Sequence, residues 1–160
     1  KKPPRNPRAR IMNRAFIFRY VFVGFFIGLI TVGGYFFTLF ANGYVWGQPL
    51  DAHSELYLRA ATFTFALLVM IQMVNIFNAR SEDRSAFTVG FFSNMKLLGA
   101  IAISIALTVA FIHIPTLQHF LEVVPLTLKE WTMIAIASLS ILVIEEIRKL
   151  VFKMKRNQMA

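Results

Sequence analysis

Between Tyr20 and Leu50 the chain carries no formal charge, and Ala60–Ala79 is a second uncharged run of twenty residues. Roughly 20 apolar residues suffice for a helix that crosses a bilayer. Two further runs of that kind follow, so the spans expected are about 16–41, 60–79, 97–114 and 131–151, the last interrupted by Glu145 and Glu146. By length alone, 160 residues would suit one soluble domain. A hydrophobic share of 57%, 17 Phe and a mean hydropathy of +0.60 exclude that reading and indicate an all-α membrane protein.

A formal charge of +9 could suggest nucleic acid, but its placement argues otherwise. Seven Lys/Arg precede Tyr20, three lie in Arg80–Lys96 and five in Arg148–Arg156; only Arg59 and Lys129 fall elsewhere. Basic segments that alternate with apolar spans follow the positive-inside rule. Both termini and the 80–96 loop are therefore expected on the cytoplasmic side, with loops 42–58 and 115–129 outside and Asp51, Glu55, Glu122 and Glu130 in or beside them. No nucleic-acid partner is expected; membrane lipid is.

Residues 1–12 read as a Pro/Arg-rich cytoplasmic linker, because its prolines remove donors and restrict their neighbours. Residues 13–160 form the transmembrane domain. The opening at Lys1 without a signal-peptide pattern suggests a piece of a longer polypeptide. Cys is absent, so no thiolate site is available. Asn42-Gly43 suits a helix C-cap, Asn94 an N-cap, and Thr127-Leu128-Lys129-Glu130 has the spacing of a capping box.

The polar residues inside the spans are the functional candidates, because polar groups at membrane depth need a partner or a water-filled path. Gln72, Asn75 and Asn78 recur every three residues and drift slowly around one side of a helix. An amide oxygen is a hard, neutral ligand for calcium or sodium, and equally a glue between helices. Asn78 approaches the cytoplasmic interface, where an amide is unremarkable. Gly24 and Gly28 make a GxxxG helix-contact face, followed by Gly33 and Gly34. Glu145 and Glu146 fall roughly 22 Å into the last span, where an interfacial anchor beside Arg148 and Lys149 competes with a buried ion path. His113 and His119 flank Pro115 without acids spaced to complete a metal site. Thr31, Ser104, Thr108, Ser138 and Ser140 are expected to bond back to their own helices. No phosphate-binding loop, aspartyl-phosphate motif or nucleophile elbow is present.

Taken in order, these residues resemble the seventh to tenth transmembrane helices of type II P-type cation-transporting ATPases, with calcium pumps the most similar. Pro3-Pro4-Arg5-Asn6-Pro7 and Ile11-Met12-Asn13-Arg14 look like the entry to the seventh helix. Phe18-Arg19-Tyr20, Gly24, Gly28 and Thr31-Val32-Gly33 look like that helix itself. Gln72 through Arg80 resembles the eighth, and Leu126 through Trp131 with Glu145 through Lys149 the ends of the tenth. The resemblance implies that Gln72 occupies the eighth-helix position that gives a side chain to a cation site. Glu stands there in sarcoplasmic-reticulum-type pumps, and Gln in plasma-membrane-type calcium pumps and sodium pumps. An uncharged ligand points away from a full two-calcium site, and Asn75, at a position acidic in sodium pumps, points away from a sodium-pump-like third site.

The resemblance further implies that Gly24 and Gly28 pack on a fifth helix absent from this chain. Ca2+ would be the transported ion. ATP and Mg2+ would bind elsewhere in the full protein, whose remaining helices and cytoplasmic domains would be this segment's partners. Two other readings stay open: a stand-alone four-helix interaction module without ATPase activity, and an oligomeric channel or carrier.

Overall fold

Local chemistry sets the helix boundaries. The computed structural model describes residues 14–79, 90, 92 and 94–158, which form α1 (Arg14–Ala41), α2 (Glu55–Ala79), α3 (Met95–His113), α4 (Pro115–Leu121) and α5 (Leu128–Gln158). The linker 1–12 and most of the basic 80–96 segment lie outside the described residues. At the end of α1, Gly43 takes a left-handed φ of 91° that a side chain would oppose. That turn lets the Tyr44 amide donate to the Leu39 carbonyl at 3.0 Å, closing the helix as a C-cap glycine should. Asn94 Oδ1 accepts from the Leu97 amide at 3.1 Å and opens α3. Thr127 and Glu130 form the capping box of α5: the Thr127 amide donates to Glu130 Oε2 at 2.7 Å, and the Glu130 amide to Thr127 Oγ1 at 3.3 Å. Pro115 ends α3 and begins α4, a seven-residue helix inside the expected 115–129 loop.

Among the described residues, three helices are long and apolar enough to cross a membrane, within Phe16–Ala41, Glu55–Ala79 and Met95–His113. α5 is longer, at 31 residues, but carries charge near its end. α2 is the central helix: it packs on both α1 and α5, more lightly on α3. Phe63, Ala66, Leu67 and Ile71 of α2 meet Val23 and Ile27 of α1 and Ile134 and Ile141 of α5 in one core. Large apolar side chains also face outward, Val21, Phe25, Ile103 and Ile136 among them, as expected of helices surrounded by hydrocarbon. All five hydroxyls singled out within the spans bond back to their own helices, such as Thr31 to the Ile27 carbonyl at 2.7 Å.

The glycine that permits close approach of α1 to α2 is Gly34. A Cβ there would lie 2.6 Å from Leu67 Cδ2 and 3.2 Å from Phe63 Cε1, both on buried side chains. At Gly24, Gly28 and Gly33 a Cβ would meet nothing within 4 Å.

Ionic ties join the helices at both ends. Where α1 begins, Arg19 Nε donates to Glu145 Oε1 at 3.0 Å and its Nη2 to the Asn78 carbonyl at 2.9 Å, linking α1, α5 and α2. Arg148 completes the cluster, with Nε 2.6 Å from Glu145 Oε2. Glu145 is 0% exposed, so it is a buried structural acid and its pairing with Arg148 does not make it a surface anchor. Asn78 is equally buried, against the expectation of an interfacial amide; its Nδ2 donates to the Ile141 carbonyl at 3.4 Å, while Oδ1 has no partner among the described residues. At the other end Arg59 Nη1 donates to Glu130 at 3.2 Å, and Trp131 Nε1 donates to His113 Nε2 at 3.1 Å.

Gly34→Leu is expected to lower stability by about 1–3 kcal/mol through overpacking, while Gly33→Leu leaves the unfolding midpoint in detergent nearly unchanged. Glu145→Gln, which strands two guanidinium groups, is expected to cost about 3–5 kcal/mol; denaturant unfolding measures it. Burial works to raise the Glu130 carboxyl, but hydrogen bonds from Thr127 and the Arg59 guanidinium outweigh it and hold the group below the usual carboxylate range. Its contribution to stability is therefore complete above the ordinary carboxylate value and is lost as pH falls through the lowered folded one. Stability of Glu130→Gln should fall less steeply over that acid window than that of the parent chain.

Candidate functional site

Three residues along a helix turn a side chain by roughly −60°. Across Gln72, Asn75 and Asn78 the drift therefore reaches about 120°, enough to divide the three amides between two faces of α2. Asn78 turns inward to α5, as described above. Gln72 is exposed and Asn75 half-buried, and neither side chain has a hydrogen-bond partner among the described residues. The amide expected to act as packing glue at membrane depth is thus Asn78, whereas Gln72 and Asn75 are left facing out of this bundle.

Both line a cavity of about 260 Å³ between α1 and α2. Its α1 wall is made by Arg19, Tyr20, Val23, Gly24 and Ile27, so the site amides and the first glycine of the GxxxG share one opening. At Gly24 and Gly28 the backbone is bare, and a Cβ there would meet nothing within 4 Å among the described residues. Small residues flanking an open groove suit the close approach of a further helix.

The cavity can offer two neutral amide oxygens as hard ligands. Calcium takes six to eight oxygens at about 2.3–2.6 Å, so two amide oxygens alone would make up a minority of such a shell. Arg19 reaches the same cavity wall, but its guanidinium is committed to Glu145 and the Asn78 carbonyl. His113 is exposed and accepts a hydrogen bond from Trp131; His119 is exposed on α4.

Sequence reasoning missed the structural weight of Arg19, Arg59 and Glu130. Two signals were available. Arg59 is one of only two basic residues outside the three basic segments, and Arg19 is the last charge before the uncharged run Tyr20–Leu50.

The family described as "Cation transporting ATPase, C-terminus" matches residues 1–151. The chain is 28% identical over 194 residues to "Calcium-transporting ATPase 4, endoplasmic reticulum-type" of Arabidopsis thaliana, covering 94% of this chain and 18% of that protein. It is 32% identical over 159 residues to "Calcium-transporting ATPase 1" of Bacillus cereus, covering 96% of this chain and 18% of the relative. For "Endoplasmic reticulum calcium ATPase srcA" of Aspergillus fumigatus the identity is 27%, with 93% and 17% covered. The chain therefore spans less than a fifth of the length of the curated relatives it matches. With its long apolar helices, this is an integral, multi-pass membrane protein, and the chain belongs to the C-terminal family of the cation-transporting ATPases.

Proposed function

We propose that this chain is the C-terminal part of the transport domain of an ATP-driven P-type pump, with calcium as the transported ion. In this reading Gln72 supplies one side-chain ligand, Asn75 lies beside it, and the other helices of the segment buttress the ion-binding helices of the same pump. The observation that carries the proposal is the pair of unpartnered amides in a cavity walled by Gly24. A polar side chain without a partner at membrane depth is costly unless something beyond this bundle satisfies it. A partner helix docked on Gly24 and Gly28, together with a cation, would do both. That the relatives are calcium-transporting ATPases supports calcium over other cations.

The topology we propose has four crossings with both termini on the cytoplasmic side. α5 would make the fourth crossing despite Glu145 and Arg148, because these charges are paired with each other and with Arg19. ATP and Mg2+ would bind in other domains of the full protein, where an aspartate would be phosphorylated.

In the full-length protein, Gln72→Ala is expected to raise the calcium concentration for half-maximal ATP hydrolysis about tenfold, equivalent to ~1.4 kcal/mol. Gln72→Glu should shift that concentration in a pH-dependent way. If both variants change only stability, Gln72 is not a ligand. Gly24→Leu should disrupt assembly with the rest of the pump, and full activity would exclude the docking face. Radiolabelled ATP, quenched in acid, should give a calcium-dependent, hydroxylamine-sensitive band several times larger than 18.3 kDa that carries the Lys153–Ala160 epitope. An unlabelled band near 18.3 kDa would remove the pump reading altogether.

A further inference from the structure

A second groove runs between α1 and α5, on a face that the proposed cation site does not use. Phe18, Phe22 and Phe26 form one wall, and Ile144, Ile147 and Val151 the other, around a cavity of about 420 Å³. The three rings stand at four-residue spacing, with centroids 6.0 and 4.8 Å apart, and cover about 12 Å of α1 at 1.5 Å per residue. That is close to the depth of one leaflet, about half of a 30 Å hydrocarbon core.

Charge closes one end of this groove. The Arg148 guanidinium lies in its wall, 5.6 Å from the centroid of the Phe152 ring. Arg148 and Arg19 share a single carboxylate, Glu145, so two positive charges face one negative charge. The neighbouring Glu146–Lys149 pair, at 3.3 Å, adds no net charge. Among the described residues of this cluster, one positive charge is left over beside an apolar slot of leaflet depth, at the end of the bundle where α5 carries its further Lys and Arg residues in sequence.

We infer that this groove binds an anionic glycerophospholipid: an acyl chain lies along Phe18, Phe22 and Phe26, and the headgroup phosphate meets the positive charge at Arg148. A docked helix suits the groove poorly. Close helix contact in membranes uses small residues, and these walls are Phe, Ile and Val, whereas Gly24 lies on the cavity that holds Gln72. Mobile acyl chains fill the spaces between large side chains without requiring a close backbone approach. A zwitterionic headgroup offers no net charge to match, so the site distinguishes lipids by charge.

The test uses the full-length protein in nanodiscs containing phosphatidylglycerol and phosphatidylcholine in equal amounts, with a photoreactive diazirine on the acyl chain of one or the other. After illumination, lipid adducts are counted on peptides containing Phe18–Phe26 and Ile144–Phe152. Phosphatidylglycerol is expected to exceed phosphatidylcholine about fivefold, the ratio that ~1 kcal/mol per basic side chain near a membrane surface gives. Ile147→Trp fills the groove from an exposed position and should abolish the adducts. Arg148→Gln should bring the ratio to one; because Arg148 also pairs with Glu145, Ile147→Trp carries the decision if that variant fails to fold.

Equal labelling by the two lipids in the parent protein overturns the inference, as do adducts that survive Ile147→Trp. Absence of adducts from both lipids overturns it too, since protein would then cover the groove. Labelling is read without ATP hydrolysis, so the result is separable from the fate of the pump reading.

Discussion

The bundle depends on the charge cluster around Glu145. In a chain whose middle is held by nondirectional apolar contact, one carboxylate shared by Arg19 and Arg148 sets the rotation of α1 and α5 relative to each other. The second amine of Arg19 reaches the Asn78 carbonyl, which fixes the end of α2 in the same arrangement. Taking such charges out of water is costly, and only close geometry offsets the penalty. The cluster therefore contributes less to net stability than to specifying one packing among several that an apolar surface would allow. Arg59 and Glu130 do the same where α2 and α5 begin.

With both ends fixed, α1, α2 and α5 form a block, and the polar groups sort by what that block can satisfy. Asn78 is taken inside, and the hydroxyls fold back onto their own carbonyls. Gln72 and Asn75 are left over, on the same opening as Gly24. Rigid support on one side and unmet hydrogen-bonding capacity on the other is the arrangement expected of a segment that holds one part of a site completed elsewhere. α3 stands apart: it packs lightly on α2 and reaches α5 through the His113–Trp131 hydrogen bond.

Much of the fold was legible because the decisive signals are local. The uncharged runs, the caps at Asn94 and Thr127 and the stop at Pro115 each act within a few residues, and each helix boundary follows from them. α5 is the least legible of the long helices, since its charges read as polar in sequence and find partners as far as 126 residues away. The site was legible in its residue types and not in its division. Three amides at equal spacing look equivalent until the position of α5 decides that Asn78 faces it and Gln72 does not. The glycines behaved likewise: the GxxxG signal pointed to Gly24 and Gly28, but the close contact within this bundle falls at Gly34.

The spacing of the charge pairs also orders events during synthesis. Arg19 enters on the first helix, whereas Glu145, the acid that pairs with it, arrives on the last; Arg59 has Glu55 on its own helix and meets Glu130 only later. At about 5–20 residues per second, Arg19 waits roughly 6–25 s for Glu145. Throughout that interval the nascent chain keeps Arg19 at or near the bilayer without its carboxylate partner. Arrival of Glu145 pairs that charge, so the packing at this end of the bundle can be completed only once the last helix has been made.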